Sequence, residues 1–405
     1  MANYSSKTEK FLIESTLLNQ NDGTSKDISE NILNVFIQND YIENSFPLFV
    51  VNIRGTQELI EEIQFNDVKI YLKISSYIQE STEAEEDEDN IIINNIVLET
   101  TIRCYDKPVK KENKTEDVDT AEENENIGTS AAFFEYQISG IPEDLIEKNK
   151  NIINDVFEDA TLNEILVNIF SSLDNNELYL EESPNTTREQ SLLIPPLNLI
   201  QTVKYLQTFY GIFDDGLVLF FDTNKTFLYS LTNEKKEYEN TFSIQLKEAK
   251  STADSSIYNR PLFDSNDNIM MYIRSLTSFV SQKQIISDNI GSQTIFYSYD
   301  ENFNLNIRKK SNNEIFEKTR YYWNQNKEKI SEDQFYNANK KTDAISFIFN
   351  NINYKYFKPT TKFLLNTNDS NIDGEYSLVE NSIAFSTSDF KHYTSYNSLK
   401  LIKIK

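Results

Sequence analysis

Residues 67–78 place Val68, Ile70, Leu72 and Ile74 on one side of an extended chain, with Lys69, Tyr71 and Lys73 on the other. That period of two belongs to a half-buried strand, so this part of the chain must build a sheet with one dry face and one wet face. Further strands are read at 11–18, 32–37, 48–53 and 133–138, with a short helix at 56–65 capped by Thr56. Five or six strands separated by long excursions predict an antiparallel sheet or small barrel over residues 1–140.

The middle, 141–235, has a different rhythm. After Gly140-Ile141-Pro142, apolar residues at 145, 146, 152, 153, 156 and 157 fall mostly at helical spacing and predict a helix over 143–157. Thr161 and Glu164 form a capping box for a second helix. A third is expected to start at Pro195-Pro196, run over 197–210 and stop at Gly211. Strands at 217–221 and 225–231 flank a hairpin turn at 222–225. From 236 to 405 strands return, at 242–246, 270–273, 294–299, 303–308, 344–352, 357–365, 376–378, 382–386 and 399–404; residues 273–279 fit a strand or a helix. The fold class is α+β and predominantly β: two antiparallel barrel or sandwich domains with an α/β region between them.

Aromatic residues make up 13% of the 405-residue chain, enough bulky apolar surface for packed cores despite a net charge of -25. The charge is concentrated. Residues 80–127 hold 16 acidic and 5 basic side chains, in two blocks at 80–90 and 106–127 around the apolar segment 91–104. Such runs are read as solvated loops beside a strand. The last hundred residues hold 16 basic and 11 acidic side chains. The overall acidity argues against general nucleic-acid binding, which needs Lys and Arg for the phosphates. No apolar run reaches the roughly 20 residues of a membrane span, and residues 1–7 lack the apolar core of a signal peptide. The one cysteine, Cys104, allows no intrachain disulfide and suits a reducing compartment.

Catalytic chemistry finds little support. His392 is the one histidine and stands apart from any thiol cluster, so it makes a poor metal ligand. A Ser-His-Asp triad would have to use it, and there is no GxSxG elbow, P-loop, GxGxxG or HExxH. Cys104 ends an apolar strand and is expected to be a buried thiol. Asp369, Asn371, Asp373, Gly374 and Glu380 match the spacing of a calcium loop. Their flanks look like strands where an EF-hand has helices, so a plain turn is expected instead. No catalytic residue, metal or cofactor is expected, and the chain is read as a non-enzyme.

Three stretches carry a resemblance. One is Ile32-Leu33-Asn34-Val35-Phe36-Ile37-Gln38-Asn39-Asp40-Tyr41, continuing to Phe46-Pro47-Leu48-Phe49. The next is Ile138-Ser139-Gly140-Ile141-Pro142, continuing through Asn149-Lys150 to Asn154-Asp155-Val156-Phe157. The third is Ile194-Pro195-Pro196-Leu197-Asn198 with Val203-Lys204-Tyr205-Leu206, Phe209-Tyr210-Gly211-Ile212-Phe213 and Gly216-Leu217. In order and spacing they resemble the baseplate hub proteins of phages with long, contractile tails. The C-terminal stretch with Pro359, Lys362-Phe363, Gly374-Glu375-Tyr376-Ser377-Leu378 and a final strand is similar to the end of such a hub.

The resemblance implies two tail-tube-like β-domains, at 1–140 and 236–405, and kinship with the N-terminal parts of type VI secretion spike proteins. It implies a homotrimer whose six tube-like units match a hexameric tube disc. Such a ring joins the six-fold tail tube to the three-fold central spike, touches wedge proteins and lets genomic DNA pass without specific binding. The implied location is the virion baseplate, assembled in the host cytoplasm without membrane insertion. The acidic insertion is a departure from a compact tube domain. Two alternatives stay open: another baseplate component such as a wedge, arm or fibre-attachment protein, and a carbohydrate-binding or hydrolytic tail protein, for which a single Trp, Trp323, is thin support.

Overall fold

The structure is a computed structural model that describes residues 5–6, 9–42, 44–78, 93–105, 109–110, 134–171, 177–213, 217–223, 225–230, 238–246, 261–263, 269–273, 278–280, 292–299, 305–311, 318–324, 344–350, 352, 354–367, 369–370, 372–387 and 392–404. Strands β1 (Glu9–Asn19), β2 (Ile32–Asp40) and β3 (Leu48–Gly55) lead through helix α1 (Gln57–Phe65) to β4 (Val68–Ile78), β5 (Ile93–Cys104) and β6 (Phe134–Pro142). The middle segment runs α2 (Glu143–Lys150), β7 (Ile152–Thr161), α3 (Leu162–Ser171), β8 (Glu177–Leu180), β9 (Arg188–Asn198), α4 (Leu199–Tyr210), β10 (Leu217–Phe221) and β11 (Lys225–Ser230). The C-terminal part holds β12 (Asn240–Leu246), β13 (Ile269–Ile273), β14 (Ala344–Asn350), β15 (Thr361–Asn366), β16 (Gly374–Thr387) and β17 (Tyr393–Lys403).

Eight of these strands close on themselves in the order β1-β4-β5-β6-β3-β2-β16-β17, every pairing antiparallel, with Phe11 of β1 opposite Tyr393 of β17 at the seam. Six strands come from the first 142 residues and two from the far end of the chain. Closure removes the edges at which an open sheet would pair with other chains. The alternation at 67–78 does what it predicts: Val68, Ile70, Leu72 and Ile74 are all buried in the barrel core. Phe385 and Tyr393 join that core from the C-terminal strands. Phe385 meets Phe11 edge to face at 5.0 Å, and the Tyr393 hydroxyl donates to the Ile32 carbonyl at 2.8 Å.

The same two strands run on into a second sheet, β14-β17-β16-β15-β12-β13, in which β12 is parallel to both its neighbours. The handover is a bulge at Val379. Leu378 lies opposite Leu401 and Glu380 opposite Lys400, so Val379 is the extra residue, and its carbonyl accepts the N–H of Tyr41 beyond the end of β2. A bulge bends its strand and locally raises the twist, which lets one strand serve two sheets. Where the sheets meet, Asn397 and Ser395 donate to the Ile352 carbonyl at 2.9 and 3.1 Å, and Tyr354 packs against both cores. The second core is an aromatic cluster in which the Phe242 ring lies 5.5–6.0 Å from those of Phe349, Phe357 and Phe363.

The hairpin β10–β11 joins the middle to the rest. Val218, Phe220, Phe227 and Tyr229 face the second core, and Leu219, Phe221 and Leu228 face a third core built on α2, α3 and α4. Burial on both faces explains its near-continuous apolar sequence. Lys225 is clamped between Glu239 at 2.5 Å and Glu177 at 3.5 Å, and Glu239 also accepts from the Thr360 hydroxyl at 2.7 Å.

Helix ends follow local chemistry. Thr56 caps α1, Thr161 and Glu164 exchange hydrogen bonds ahead of α3, and Gly211 ends α4 in the left-handed region at φ 70. Two expectations in the middle segment need correction. The helix predicted over 143–157 ends at Lys150, and residues 152–161 form β7 against β9. The register shifts so that Asn154 faces both Pro195 and Pro196. The extra residue belongs to β9, and β7 keeps its alternation: Ile153 and Phe157 pack on the third core while Ile152 and Val156 are exposed on the other face, and apolar residues on both faces imitate helical spacing. The prolines therefore occupy the irregular point of a two-stranded ribbon, where no donor is missed. Helix α4 starts at Leu199, capped by Asn198 and Gln201 in a reciprocal box. Likewise, the strands expected at 376–378 and 382–386 are one strand, its phase broken at Val379, and the strand expected at 399–404 begins at Tyr393.

Candidate functional site

The residues singled out for chemistry do not assemble into a centre. Cys104 is largely enclosed, and burial, with the charge of Asp67, pushes its thiol up to about 12. The His392 Nδ1 atom lies 2.6 Å from the Tyr77 hydroxyl, at the barrel seam beside Tyr393. Asp373 accepts the N–H and the hydroxyl of Thr367, the latter at 2.8 Å, and the Asp369 carbonyl accepts the N–H groups of Ile372 and Asp373. Glu380 sits beyond the Val379 bulge, opposite Asp40 and Lys400. The structure thus uses Asp369 and Asp373 to close a turn between β15 and β16 and sends Glu380 away down a strand. Asn371 lies outside the described residues. So do the acidic blocks at 80–90 and 106–127, apart from Val109–Lys110. Among the described residues, no three His, Cys, Asp or Glu side chains are grouped to hold a metal ion, and no helix is long and apolar enough to cross a membrane.

What the fold does present is surface, and the barrel has two unlike outer faces. On β1, β4 and β5 many outward side chains are charged and paired, among them Lys73 to Glu14 at 2.7 Å, the Tyr71 hydroxyl to Glu99 at 2.7 Å, and Arg103 to Asp67 at 3.9 Å. Lys69 reaches Glu143 of α2 at 2.7 Å. Donation to the Glu99 carboxylate, followed by partial burial and nearby negative charge, raises the Tyr71 phenol to about 12.

The other face spans β6, β3, β2, β16, β17 and β14. Its register aligns Ser139, Val50, Phe36, Ala384, Tyr396 and Asn350 in one row. The next row runs Leu48, Gln38, Ser382, Ser398 and Ile348. On the other side of the first lie Gln137, Asn52, Asn34, Ser386 and Thr394. None of these side chains is charged. Charge returns just beyond, with Asp40, Glu380 and Lys400 at one end and Arg54 opposite Glu135 at the other. Sequence reasoning missed this face because its rows draw on strands more than 300 residues apart; the signal is an unbroken run of uncharged outward positions, visible only once the register is known. A smaller apolar spot lies on the ribbon, where exposed Val156 and Leu193 stand opposite each other.

The described residues thus form a β assembly with two unlike outer faces. Residues 5–404 match the family described as Bacteriophage PBS1 gene 109 protein, and the chain belongs to that family. No curated protein matches. Among solved structures it is similar to a tail protein from Neisseria meningitidis MC58, at 10% identity and TM-score 0.48, covering 96% of each chain. It is also similar to the 43 kDa tail protein of prophage MuSo2 from Shewanella oneidensis, at 10% identity and TM-score 0.46, covering 96% of this chain and 97% of that one. A third is the E. coli c3393 protein, a component of the type VI secretion system described as similar to the T4 tail proteins gp27 and gp5, at 8% identity and TM-score 0.39, covering 93% and 74%.

Proposed function

We propose that three copies of this protein form the baseplate hub, a ring that joins the six-fold tail tube to the three-fold central spike and surrounds the path of the DNA. The observation that carries the reading is the pair of β units locked together by β16 and β17. One chain then holds two such units rigidly, and three chains supply the six positions of a tube disc. Closed cyclic symmetry of this kind ends an assembly without open growth. The units correspond to residues 1–140, completed by the C-terminal strands, and residues 236–405, with 141–235 as the α/β region between them. Tail tube protein would stack on one side, the spike protein on the other, and wedge proteins would hold the rim. The protein acts as a non-enzymatic part of the virion, assembled in the host cytoplasm, and DNA passes without specific binding. A symmetric reconstruction of the particle tests the reading: three copies on the tail axis between tube and spike are expected. Six copies, or a peripheral position, would make the protein a wedge or arm component.

A further inference from the structure

We infer that the uncharged outer face of β6, β3, β2, β16, β17 and β14 is the surface on which one copy of this chain meets a second copy. The inference rests on the ring reading above and names the contact that reading needs. Phe36, Tyr396 and Ile348 are 41%, 44% and 52% exposed at its centre, with Val50 and Leu48 beside them. Aromatic side chains together with depletion of charge mark the centre of a protein–protein contact, and a polar, charged rim surrounds it. The rim here is Asp40, Glu380 and Lys400 at one end and Arg54 and Glu135 at the other.

Charge identifies the occupant. Each chain carries a net charge of -25, and two such chains repel within the screening length of about 8 Å. A basic partner would be met by a row of carboxylates, which this face lacks. A face with no charge over three consecutive rows is where two equally acidic copies approach at the least cost. Three rows of five or six residues, with about 4.8 Å between strands, give a patch of at most about 24 Å by about 17 Å. That is about half of the roughly 800 Å² each partner contributes to a standard interface, the share expected of a core whose rim supplies the rest. The face also crosses from the barrel onto the second sheet, so a copy seated on it would hold both β units of its neighbour in fixed relation.

The test is native mass spectrometry and sedimentation of the full-length chain, comparing wild type with Phe36→Lys/Tyr396→Lys. Ser398→Lys, at an exposed position that needs no repacking, and Leu193→Lys on the distant ribbon complete the set. Circular dichroism and melting temperature establish that each is folded. The expected result is a three-chain species for wild type and Leu193→Lys, and single chains for the two face variants. A three-chain species for folded face variants overturns the inference and leaves the hub reading standing. If wild type instead forms another closed number of copies and the face variants abolish it, the face is right and the three-copy hub is wrong. A wild type that stays monomeric at every concentration overturns both. Face variants that remain assembled yet retard duplex DNA that wild type ignores would make this face a DNA path instead, which also overturns the inference.

Discussion

Replacing Phe385 with alanine removes a side chain that belongs by sequence to the last thirty residues and by packing to the first hundred and forty. Its ring is fully buried in the barrel core, 5.0 Å from Phe11 in an edge-to-face pair and 6.4 Å from Tyr354. A Phe→Ala change in a packed core costs about 3–5 kcal/mol, and an edge-to-face pair adds about 0.5–1.5 kcal/mol beyond area alone. Because β16 is pinned between β2 and β17, the cavity has little freedom to collapse, which places the expected loss near the top of the range, about 4–5 kcal/mol. Urea unfolding followed by far-ultraviolet circular dichroism measures the loss, and amide exchange locates it. Protection should fall along Glu9–Asn19 and Ile32–Asp40 as well as along Gly374–Thr387. Phe363→Ala, in the second core, is the comparison: its first effect should be on Asn240–Leu246 and Thr361–Asn366. If Phe385→Ala cost less than about 1 kcal/mol, or left exchange in Glu9–Asn19 unchanged, the first six strands would close without the C-terminal pair and the shared-strand account would be wrong.

Other consequences are checked as directly. A Cβ on Gly140 would lie 2.6 Å from the Arg103 carbonyl oxygen and 2.3 Å from Ile102 Cγ2, so Gly140→Ala should destabilise the β5–β6 pairing by about 1–3 kcal/mol; an unchanged denaturation midpoint would contradict that close approach. Burial opposes ionisation of Glu239, but the Lys225 ammonium and the Thr360 hydroxyl outweigh it and hold the carboxyl below the usual range. Because its pKa is lowered on folding, Glu239 adds stability above the ordinary glutamate range that is lost as pH falls through the lowered value; calorimetry from about pH 6 to about pH 3 should show a shallower fall for Glu239→Gln, and parallel curves would refute the linkage. Asp373→Ala loses two hydrogen bonds to Thr367 and should cost about 1–2 kcal/mol, equally with and without added calcium; a calcium-dependent rise in wild-type melting temperature, absent from the variant, would restore the calcium loop.

Much of this fold is legible in local patterns. The alternation of Val68, Ile70, Leu72 and Ile74, the Thr161–Glu164 box, the turn from Asp222 to Lys225 and the stop at Gly211 each reflect forces acting within a few residues, and the structure shows all four. The pattern fails where the pleat changes phase or where both faces carry apolar residues. At Val379 one extra residue turns an alternating strand into something that reads as a gap; on β7 apolar residues on both faces, Ile153 and Phe157 packed and Ile152 and Val156 exposed, read as a helix. It fails again where buried positions are polar: Ser395 and Asn397 look like surface residues until the Ile352 carbonyl is seen to accept from both. Barrel closure is invisible for a third reason, since nothing local to Phe11 specifies Tyr393 as its neighbour. The contact faces share that limit, because an uncharged row means little until register shows that Val50, Phe36, Ala384 and Tyr396 stand side by side.

The proposed hub requires one chain to supply two β units to a three-copy ring on the tail axis. A reconstruction of the intact tail that imposes no symmetry beyond the axis decides it. Three copies are expected at the junction of tube and spike, with the closed barrel and the β12–β15 sheet alternating around the lumen as six units and the β2–β16–β17 face buried against a neighbouring copy. Six copies per particle, or β units lying away from the axis, would contradict it.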